Sequence, residues 1–256
     1  MKHGIGIAGI AGRMGQMLVQ EVAAAGAPLT GGVDRPGLSE IGPHTLFADI
    51  TALAEASEVV IDFTHASTAR THARAIARAS TAWVLGTTGL SPEDEAEVRE
   101  AGKRIPVVYA PNYSPGVNLV LALAEKMAAA LPAARYDAEI VEMHHRQKVD
   151  APSGTAIGLG QAVARGRGVK LEDVIESGRN GHTGARKDGA IGFSALRGGQ
   201  VVGEHTLLFA AGDEHIEITH RAFDRRVFAA GAVRAALWVR GQKPGVYNMM
   251  DVLGMG

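Results

Sequence analysis

The sequence predicts an α/β protein in which a doubly wound parallel sheet is joined to a second α+β domain with a mostly antiparallel sheet. Three observations predict this. Short apolar runs alternate with helical patterns through the first 114 residues, and a glycine-rich turn follows the first run. Between 191 and 219, three strand-like runs follow one another without a helix. We therefore expect a dinucleotide-binding domain at 1–114 and 225–256, and a substrate-binding and oligomerisation domain at 115–224.

Composition narrows the function classes. The 256 residues include 46% hydrophobic and 21% charged side chains, which is typical of a globular protein and not of a disordered one. The net charge of −1 predicts no binding to nucleic acid or to an anionic membrane. The absence of cysteine excludes disulfides, thiol catalysis and a thiolate zinc site. The first residues show no signal-peptide pattern, so we expect a cytoplasmic protein without a membrane span.

The first half reads as strands followed by helices. We predict strands at Ile5–Gly9, Leu29–Asp34, Val59–Phe63, Ala82–Leu85 and Ile105–Tyr109, and helices at 14–22, 48–56 and 66–80, with another opening at Ser91, Pro92 and Glu93. The continuous β-branched run at 59–61 is typical of a strand covered on both faces. Regular alternation of this kind indicates a parallel sheet.

The second half has a different order. We predict helices at 117–131, from Ser153 to about residue 165 and at 228–239, strands at Asp137–His145, Ile191–Leu196, Val201–Ala210 and Glu214–Thr219, and a long loop or lid at 166–189. The last helix is expected to pack on the first domain. Consecutive strands without helices favour antiparallel pairing.

The turn after the first strand predicts a cofactor site. It reads Gly9-Ile10-Ala11-Gly12-Arg13-Met14-Gly15, a G-x-x-G-x-x-G spacing that differs from the standard G-x-G-x-x-G. Small residues there let backbone N–H groups approach a pyrophosphate at a helix N-terminus. We therefore predict cofactor contacts from 9–14 in a Rossmann-like domain, with a tight turn that binds nothing as the alternative.

The end of the second predicted strand bears on cofactor choice. Asp34 is placed to accept hydrogen bonds from the adenosine ribose hydroxyls, which favours NADH. Arg35 and Arg13 could instead hold a 2′-phosphate, which favours NADPH. Both cofactors stay open at this point.

Two further loops follow strands at the same predicted sheet edge. Gly86, Thr87 and Thr88 offer backbone amides and hydroxyls. The second loop offers an amide side chain and an aromatic ring near a nicotinamide, from Ala110, Pro111, Asn112 and Tyr113. Ligands bind at this edge in open α/β sheets, so we predict cofactor contacts from both loops.

The densest group of reactive residues lies at 139–156. His144 and His145 titrate near neutral pH, so either could donate a proton, and Lys148 could supply a positive charge. Ser153 begins a helix whose first amides, at Gly154 and Thr155, form an anion site. Adjacent residues of a strand point to opposite faces, so the strand must end or bend if both histidines enter one pocket. The alternative is a pair of exposed histidines at a strand end.

This run resembles the signature of the 4-hydroxy-tetrahydrodipicolinate reductase (dihydrodipicolinate reductase) family. Supporting motifs occur in family order across nearly the whole chain: Gly9–Gly15, Ile61–Thr64, Gly86–Gly89, Asn112–Asn118, Gly181–Gly184, Gly203–Thr206 and Met250–Leu253. The resemblance implies reduction of a cyclic dicarboxylate with NADPH or NADH in the diaminopimelate route to lysine, by a homotetramer.

The resemblance also implies residue roles. His144 resembles the family's proton donor/acceptor and Lys148 its proton donor, while His145, Gly154 and Thr155 match substrate-binding positions. We predict that Lys148 and Ser153 also contact the substrate.

The remaining histidines do not predict a metal site. His182, His205, His215 and His220 lack ligand spacing with carboxylates, and we expect structural or lid roles for them. Two other function classes stay in view: a dehydrogenase acting on an amino or hydroxy acid, and a nucleotide sensor without turnover. Neither explains the His-His-x-x-Lys and Ser-Gly-Thr run.

Overall fold

The computed structural model describes residues 2–35, 37–38 and 40–255, so the predicted domain ends at Met1 and Gly256 lie outside the described residues. The chain forms two compact units, unit 1 (Met1–Pro115 with Arg226–Gly256) and unit 2 (Gly116–Arg225). Each junction lies one residue beyond the position we expected from the sequence. The roles assigned to the two domains stay predictions.

The strands and helices are numbered along the chain. The strands are β1 (Ile5–Ala8), β2 (Leu29–Val33), β3 (Val59–Asp62), β4 (Ala82–Leu85), β5 (Pro106–Tyr109), β6 (Asp137–His144), β7 (Ile175–Ser177), β8 (Ile191–Arg197), β9 (Gly203–Ala210), β10 (His215–Ala222) and β11 (Gly245–Tyr247). The helices are α1 (Arg13–Ala24), α2 (Ile50–Ala56), α3 (Ala69–Arg78), α4 (Pro92–Gly102), α5 (Pro115–Ala130), α6 (Gly154–Gly166), α7 (Leu171–Val174), α8 (Arg226–Val239) and α9 (Met249–Val252).

Unit 1 contains a six-stranded parallel sheet in the order β11-β5-β4-β3-β1-β2. Strands β1, β3 and β4 are buried along their whole length, as their continuous apolar runs predict. One core cluster includes Leu18 of α1 and Ala236 of α8, and a second includes Leu53 of α2 and Ile76 of α3. The predicted doubly wound parallel sheet is confirmed, and the last long helix belongs to this unit.

Local signals explain several helix boundaries. Ser91 caps α4, Pro92 is its first residue, and the Asp94 carboxylate completes a capping box with the Ser91 backbone. The helix predicted at 66–80 instead begins with a 3-10 turn, Ala66–Thr68, before α3. Sequence analysis did not predict β11, because three residues after Pro244 carry too little pattern to show a strand.

Unit 2 contains a mixed five-stranded sheet in the order β10-β9-β6-β8-β7. The β6–β9 and β9–β10 pairs are antiparallel, whereas the β6–β8 and β7–β8 pairs are parallel. Strands β8 and β9 follow each other in the chain, but β6 lies between them. The core includes Leu159 and Val163 of α6 against Ile140, Leu207 and Phe209 of the sheet.

The segment 166–189 is not the continuous loop that we predicted. It contains α7 and β7, and β7 pairs with β8. The loop that follows is attached to the sheet, since Arg179 and Arg186 both form ion pairs with Glu139 of β6. Within the described part of the chain, no helix is both long enough and apolar enough to cross a membrane.

Candidate functional site

The glycine turn of unit 1 is shaped by close backbone contacts. Gly9 has a φ of +80°, and its carbonyl oxygen accepts a hydrogen bond from the Gly12 N–H at 3.0 Å. A Cβ at Gly15 would overlap the carbonyl oxygen of Gly9, so only glycine permits this packing of turn on helix. Gly12 caps α1 without a side chain, which leaves the positive end of the helix open to an anion.

Asp34 fastens the turn to the end of β2. Its Oδ2 accepts from the Ala11 N–H and its Oδ1 from the Arg35 N–H, both at 2.8 Å. Each carboxylate oxygen has a second lone pair, so the group can still accept from a ribose hydroxyl. The structure thus adds a turn-fixing role that the sequence did not predict for Asp34.

A cavity of about 610 Å³ opens beside the turn. Its lining includes five predicted cofactor residues, Gly9, Ala11, Gly12, Asp34 and Arg35. The other predicted turn residues, Ile10, Arg13 and Met14, are not among the described residues that line it, and the Ile10 side chain is buried in the core. Residues that sequence analysis did not assign complete the lining: Val33, Leu38, Phe63, Thr64, His65, Thr68 and His72.

A buried carboxylate organises one side of this cavity. Asp62 ends β3 with no exposed surface, and its Oδ1 accepts from the backbone N–H and the hydroxyl of Thr64 at 3.1 and 2.6 Å. Its Oδ2 lies 2.8 Å from Nδ1 of His72. From the sequence, Asp62 and Thr64 were named only as part of the motif Ile61–Thr64. No pattern in the neighbouring sequence predicted a role for His72 in this site.

The loops after β4 and β5 differ in what they offer. The Thr87 hydroxyl is buried and has no hydrogen-bond partner among the described residues, as expected of a group that awaits a ligand. Tyr113 is instead a core residue: it is 1% exposed, its hydroxyl lies 2.9 Å from the carbonyl oxygens of Leu85 and Val108, and its ring packs on Phe63. Its ring is covered by the core, and cofactor contact by this loop near a nicotinamide stays a prediction.

In unit 2, β6 ends at His144, and the backbone turns immediately. The His145 N–H donates to the carbonyl of Val201 at 2.8 Å, and the Lys148 N–H donates back to the carbonyl of His145 at 3.1 Å. The strand end that the two histidines required is confirmed. His145 is half-buried, with its Nε2 3.3 Å from the guanidinium of Arg225.

His144 belongs to a buried cluster around Glu142. The Glu142 carboxylate lies 2.6 Å from Nδ1 of His144, accepts two hydrogen bonds from Arg197 at 2.8 Å, and accepts the Ser153 N–H at 3.1 Å. Burial alone would raise the pKa of Glu142, but these hydrogen bonds outweigh it and hold the pKa below its ordinary value. Burial lowers the pKa of His144, and the Glu142 carboxylate offsets only part of that effect.

A second histidine packs against the first. His205 of β9 is 4% exposed, and its ring lies edge-on to His144 with centroids 5.0 Å apart. Burial, with the nearby charges of His144 and Lys148, lowers the pKa of His205 to about 4. Its Nε2 lies 2.9 Å from the Ser153 hydroxyl.

Ser153 therefore faces the cluster. Its side chain is buried, accepts the Ala156 N–H at 3.3 Å as the cap of α6, and bonds His205. Its hydroxyl is thus already hydrogen-bonded within the protein, and the substrate contact of Ser153 stays a prediction. Gly154 is exposed at the first turn of α6 and Thr155 is half-buried beside it. Lys148 forms an ion pair with Asp150 at 2.8 Å.

Sequence analysis missed three members of this cluster. Glu142 lies in the run 139–156 but was given no role, Arg197 was not assigned, and His205 was expected to have a structural or lid role. The alternation of β6 places Glu142 and His144 on one face, and that signal was available. Among the described residues, no group of three His, Asp or Glu side chains is arranged to hold a metal ion.

The parallel sheet, the glycine turn and the acid after β2 together define a protein of the NAD(P)-binding, Rossmann-like class. Family models described as dihydrodipicolinate reductase, N-terminus and C-terminus, match residues 3–113 and 116–253. The chain belongs to the dihydrodipicolinate reductase family, which confirms the resemblance that its motifs indicated.

Comparisons with individual proteins give the same family. A protein of Granulibacter bethesdensis named 4-hydroxy-tetrahydrodipicolinate reductase is 71% identical over 98% of this chain and 97% of its own. A protein of Gluconacetobacter diazotrophicus with the same name is 62% identical over the same shares. The solved structure of a dipicolinate-bound dihydrodipicolinate reductase from Paenisporosarcina sp. TG-14 has a TM-score of 0.78 at 22% identity, covers 98% of this chain and 99% of that one, and supports the fold.

Proposed function

We propose that this protein reduces 4-hydroxy-tetrahydrodipicolinate to tetrahydrodipicolinate with NAD(P)H, in the diaminopimelate route to lysine. The observation that carries the proposal is the buried His144, held by Glu142 on β6, at the start of the turn that leads to Lys148 and α6. The relatives named 4-hydroxy-tetrahydrodipicolinate reductase, which match nearly the whole chain, support the proposal. The conversion replaces a hydroxyl by hydrogen, so it consumes one hydride and one proton and releases water.

Unit 1 would hold the cofactor. The open N-terminus of α1 and the amides of the glycine turn would take the pyrophosphate, while Asp34 and Arg35 would contact the adenosine ribose. The buried Thr87 hydroxyl has no hydrogen-bond partner within the described part of the chain, and it fits a ligand at the edge where β4 ends. When bound, the reduced nicotinamide supplies the hydride. The residues permit both NADPH and NADH.

Unit 2 would bind the dicarboxylate. The ammonium of Lys148 and the first amides of α6, at Gly154 and Thr155, provide a cation and a helix N-terminus for anionic oxygens. His145 would add a further donor beside Arg225. Asp150 accepts two hydrogen bonds from Lys148 in the free protein, so a substrate carboxylate must compete with Asp150 for this cation.

His144 and Lys148 would supply the proton. The lowered pKa of His144 means that the neutral ring predominates at pH 7, so the ring takes up a proton before it donates one. Lys148 is a proton donor by charge and position, and it also offsets negative charge on the substrate. Both groups lie on the segment where β6 turns, so one short stretch of chain fixes both.

We further propose that the protein is a cytoplasmic homotetramer in which unit 1 binds the dinucleotide and unit 2 binds the substrate and forms the oligomer. Exposed Val141 and Leu196 on the sheet of unit 2 are consistent with a subunit contact there. Light scattering should give a mass four times that of one chain, and a monomeric mass would contradict this assembly.

A coupled assay tests the reaction. Pyruvate and aspartate semialdehyde are condensed by the upstream synthase, and NADPH or NADH absorbance is followed after this protein is added. We expect cofactor oxidation that needs both the synthase and this protein. Oxidation only with another amino or hydroxy acid would show a different dehydrogenase, and cofactor binding without turnover would indicate a sensor.

A further inference from the structure

Glu142 is the buried carboxylate of the cluster, and four nitrogen atoms lie within hydrogen-bond distance of its oxygens. Its side chain is 1% exposed, and its partners come from three parts of unit 2: Arg197 on β8, the Ser153 amide before α6, and His144 two residues along β6. A buried carboxylate costs free energy unless it is paired and fully hydrogen-bonded. This arrangement therefore calls for a role beyond holding the strand in place.

We propose that Glu142 is a positioning residue that holds the His144 ring with Nδ1–H toward its carboxylate, so that Nε2 is the nitrogen that exchanges the substrate proton. The kinetic part of this inference rests on the proposed function. Glu142 itself does not touch substrate or cofactor in this proposal, and it acts only through His144.

The hydrogen bonds fix which nitrogen carries the proton. An ionised carboxylate only accepts hydrogen bonds, so at 2.6 Å the His144 Nδ1 must be the donor. In the neutral ring Nε2 then holds a lone pair, which a proton-exchanging group requires. Arg197 keeps the carboxylate ionised by donating two hydrogen bonds to it.

The space around Nε2 is consistent with this role. A Cβ at Gly203 would lie 3.0 Å from Nε2 of His144, so the missing side chain leaves room beside this nitrogen. His205, which packs edge-on to the same ring, has its Nε2 directed at the Ser153 hydroxyl. The Ser153 hydroxyl also accepts the Ala156 N–H, so it is held by both the first turn of α6 and the His205 ring. Because burial lowers the pKa of His205 to about 4 and its Nε2 is engaged with Ser153, this ring is neutral near pH 7 and does not compete for Glu142.

Charged or titratable groups face His144 from its own strand, from the turn after it, and from β8 and β9. Glu142 on its own strand favours the protonated ring, while Arg197 on β8 and Lys148 after β6 oppose it. The His205 ring on β9 is neutral near pH 7, because its pKa is about 4. Loss of the Glu142 charge therefore removes the attraction for the protonated ring and leaves both repulsions in place.

The decisive variant is Glu142→Gln, which keeps the shape and removes the charge. We expect kcat to fall about 10–100-fold, within the range that general acid–base groups contribute, with a smaller change in KM for the dicarboxylate. The limb of the kcat–pH profile that belongs to His144 should move to lower pH by about 1 unit or more. In the double variant Glu142→Gln/His144→Ala, kcat should equal that of His144→Ala alone, because a residue that acts only through His144 has nothing left to position.

Glu139→Gln is the matched control. Glu139 lies on the same strand, also binds two arginines, Arg179 and Arg186, and points to the opposite face of the sheet. We expect its kcat and its pH profile to equal those of the wild type. An equal loss of kcat in both variants would overturn the positioning role.

A measurement on the unmodified protein keeps the inference testable if Glu142→Gln does not fold. Ring nitrogen NMR shifts at pH 7.5 should show His144 as the Nδ1–H tautomer, and the Nε2–H tautomer would overturn the proposal. An unmodified protein that fails to reduce the substrate refutes the proposed function and leaves this spectroscopic test intact. An active protein whose kcat and pH profile survive Glu142→Gln refutes the positioning role alone.

Discussion

The candidate binding regions of the two units differ in whether backbone groups or side chains form them. In unit 1 the glycine turn consists of backbone: amides, carbonyl oxygens and the open end of α1, with Asp34 fastening the turn. In unit 2 the region around His144 consists of side chains, most of them buried and ionisable. A backbone site is sensitive to any added atom, whereas a side-chain site is sensitive to charge and protonation. Substitutions of volume and of charge should therefore affect the two regions differently.

The largest effect should come from removing the proton-exchanging group. We expect His144→Ala to lower kcat about 10²–10⁴-fold, with little change in cofactor affinity, because the glycine turn belongs to unit 1. Steady-state kinetics and cofactor titration measure the two quantities. His215→Ala, which removes an exposed histidine of the same sheet, is the control. An unchanged kcat in His144→Ala would remove this residue from the mechanism.

Lys148→Ala should harm both binding and turnover. A hydrogen bond to a charged partner contributes about 1.5–3 kcal/mol, so KM for the dicarboxylate should rise about 10–100-fold, and loss of proton donation should lower kcat as well. Lys126→Ala changes an exposed lysine of α5 and should alter neither constant. The assignment fails if Lys148→Ala matches the wild type in both.

The glycine turn should respond to volume. A Cβ at Gly15 would overlap the carbonyls of Gly9 and Ile10, so Gly15→Ala should destabilise unit 1 by about 1–3 kcal/mol and weaken cofactor binding. At Gly12 the nearest atom to a Cβ is the Gly9 oxygen at 3.2 Å, so Gly12→Ala should destabilise the unit less. Trp83 and Trp238 both lie in unit 1, and their fluorescence during urea unfolding reports its stability. Equal losses in the two variants would contradict the packing argument.

The side-chain region should respond to acid. The pKa of His205 is about 4 in the folded chain, against the ordinary 6.5 of a histidine in the unfolded chain. The unfolded chain therefore binds more protons below pH 6.5, and stability falls as the pH drops toward 4. Between pH 7.5 and 4.5 this difference amounts to about 2.5 kcal/mol. His205→Asn should shrink the acid loss, whereas His182→Asn, at an exposed position, should keep it.

Hydrogen exchange of the β9 amides, corrected for its intrinsic pH dependence, measures the free energy of opening in unit 2. The slope of this free energy with pH, and not its absolute value, is the quantity to compare, because His205→Asn also alters the hydrogen bond to Ser153. If His205→Asn retains the full acid loss of the wild type, the burial of His205 is not its source.

The sequence could predict what depends on short spacing. The glycine turn, the Ser91 cap and the end of β6 at His144 follow from neighbouring residues and elementary geometry. The cluster partners could not be predicted in this way: Glu142 and Arg197 are 55 positions apart, and Ser153 and His205 are 52 apart. These pairs depend on which strands become neighbours in the mixed sheet, and chain order misled us about β8 and β9.

The burial of individual side chains also could not be predicted from the sequence. The sequence did not show that Tyr113 lies in the core, with two carbonyl oxygens within hydrogen-bond distance of its hydroxyl. Likewise, the sequence predicted that Ser153 begins a helix but not that His205 lies against its hydroxyl. A pattern of residue types gives periodicity along an element but not the partners that cover its end.

Cofactor choice gives the smallest expected effect, because unit 1 places opposite charges at one position. Asp34 favours free ribose hydroxyls and repels a 2′-phosphate, while Arg35 lines the same cavity and would bind that phosphate. The two kcat/KM values should therefore lie within roughly 100-fold of each other, about 2.7 kcal/mol in activation free energy. Arg35→Ala should lower kcat/KM for NADPH by about 10-fold and leave that for NADH nearly unchanged, since one charge-assisted hydrogen bond contributes about 1.4 kcal/mol or more.

Asp34 should be left in place in this test, because its carboxylate also holds the Ala11 amide and its loss would disturb the turn for both cofactors. Arg13→Ala is the comparison, because Arg13 is exposed and is not among the described residues that line the cavity. Steady-state kinetics with each cofactor at saturating dicarboxylate measure these kcat/KM values. An equal loss for both cofactors in Arg35→Ala, or a wild-type preference far beyond 100-fold, would show that Asp34 and Arg35 do not together determine which adenosine ribose is bound.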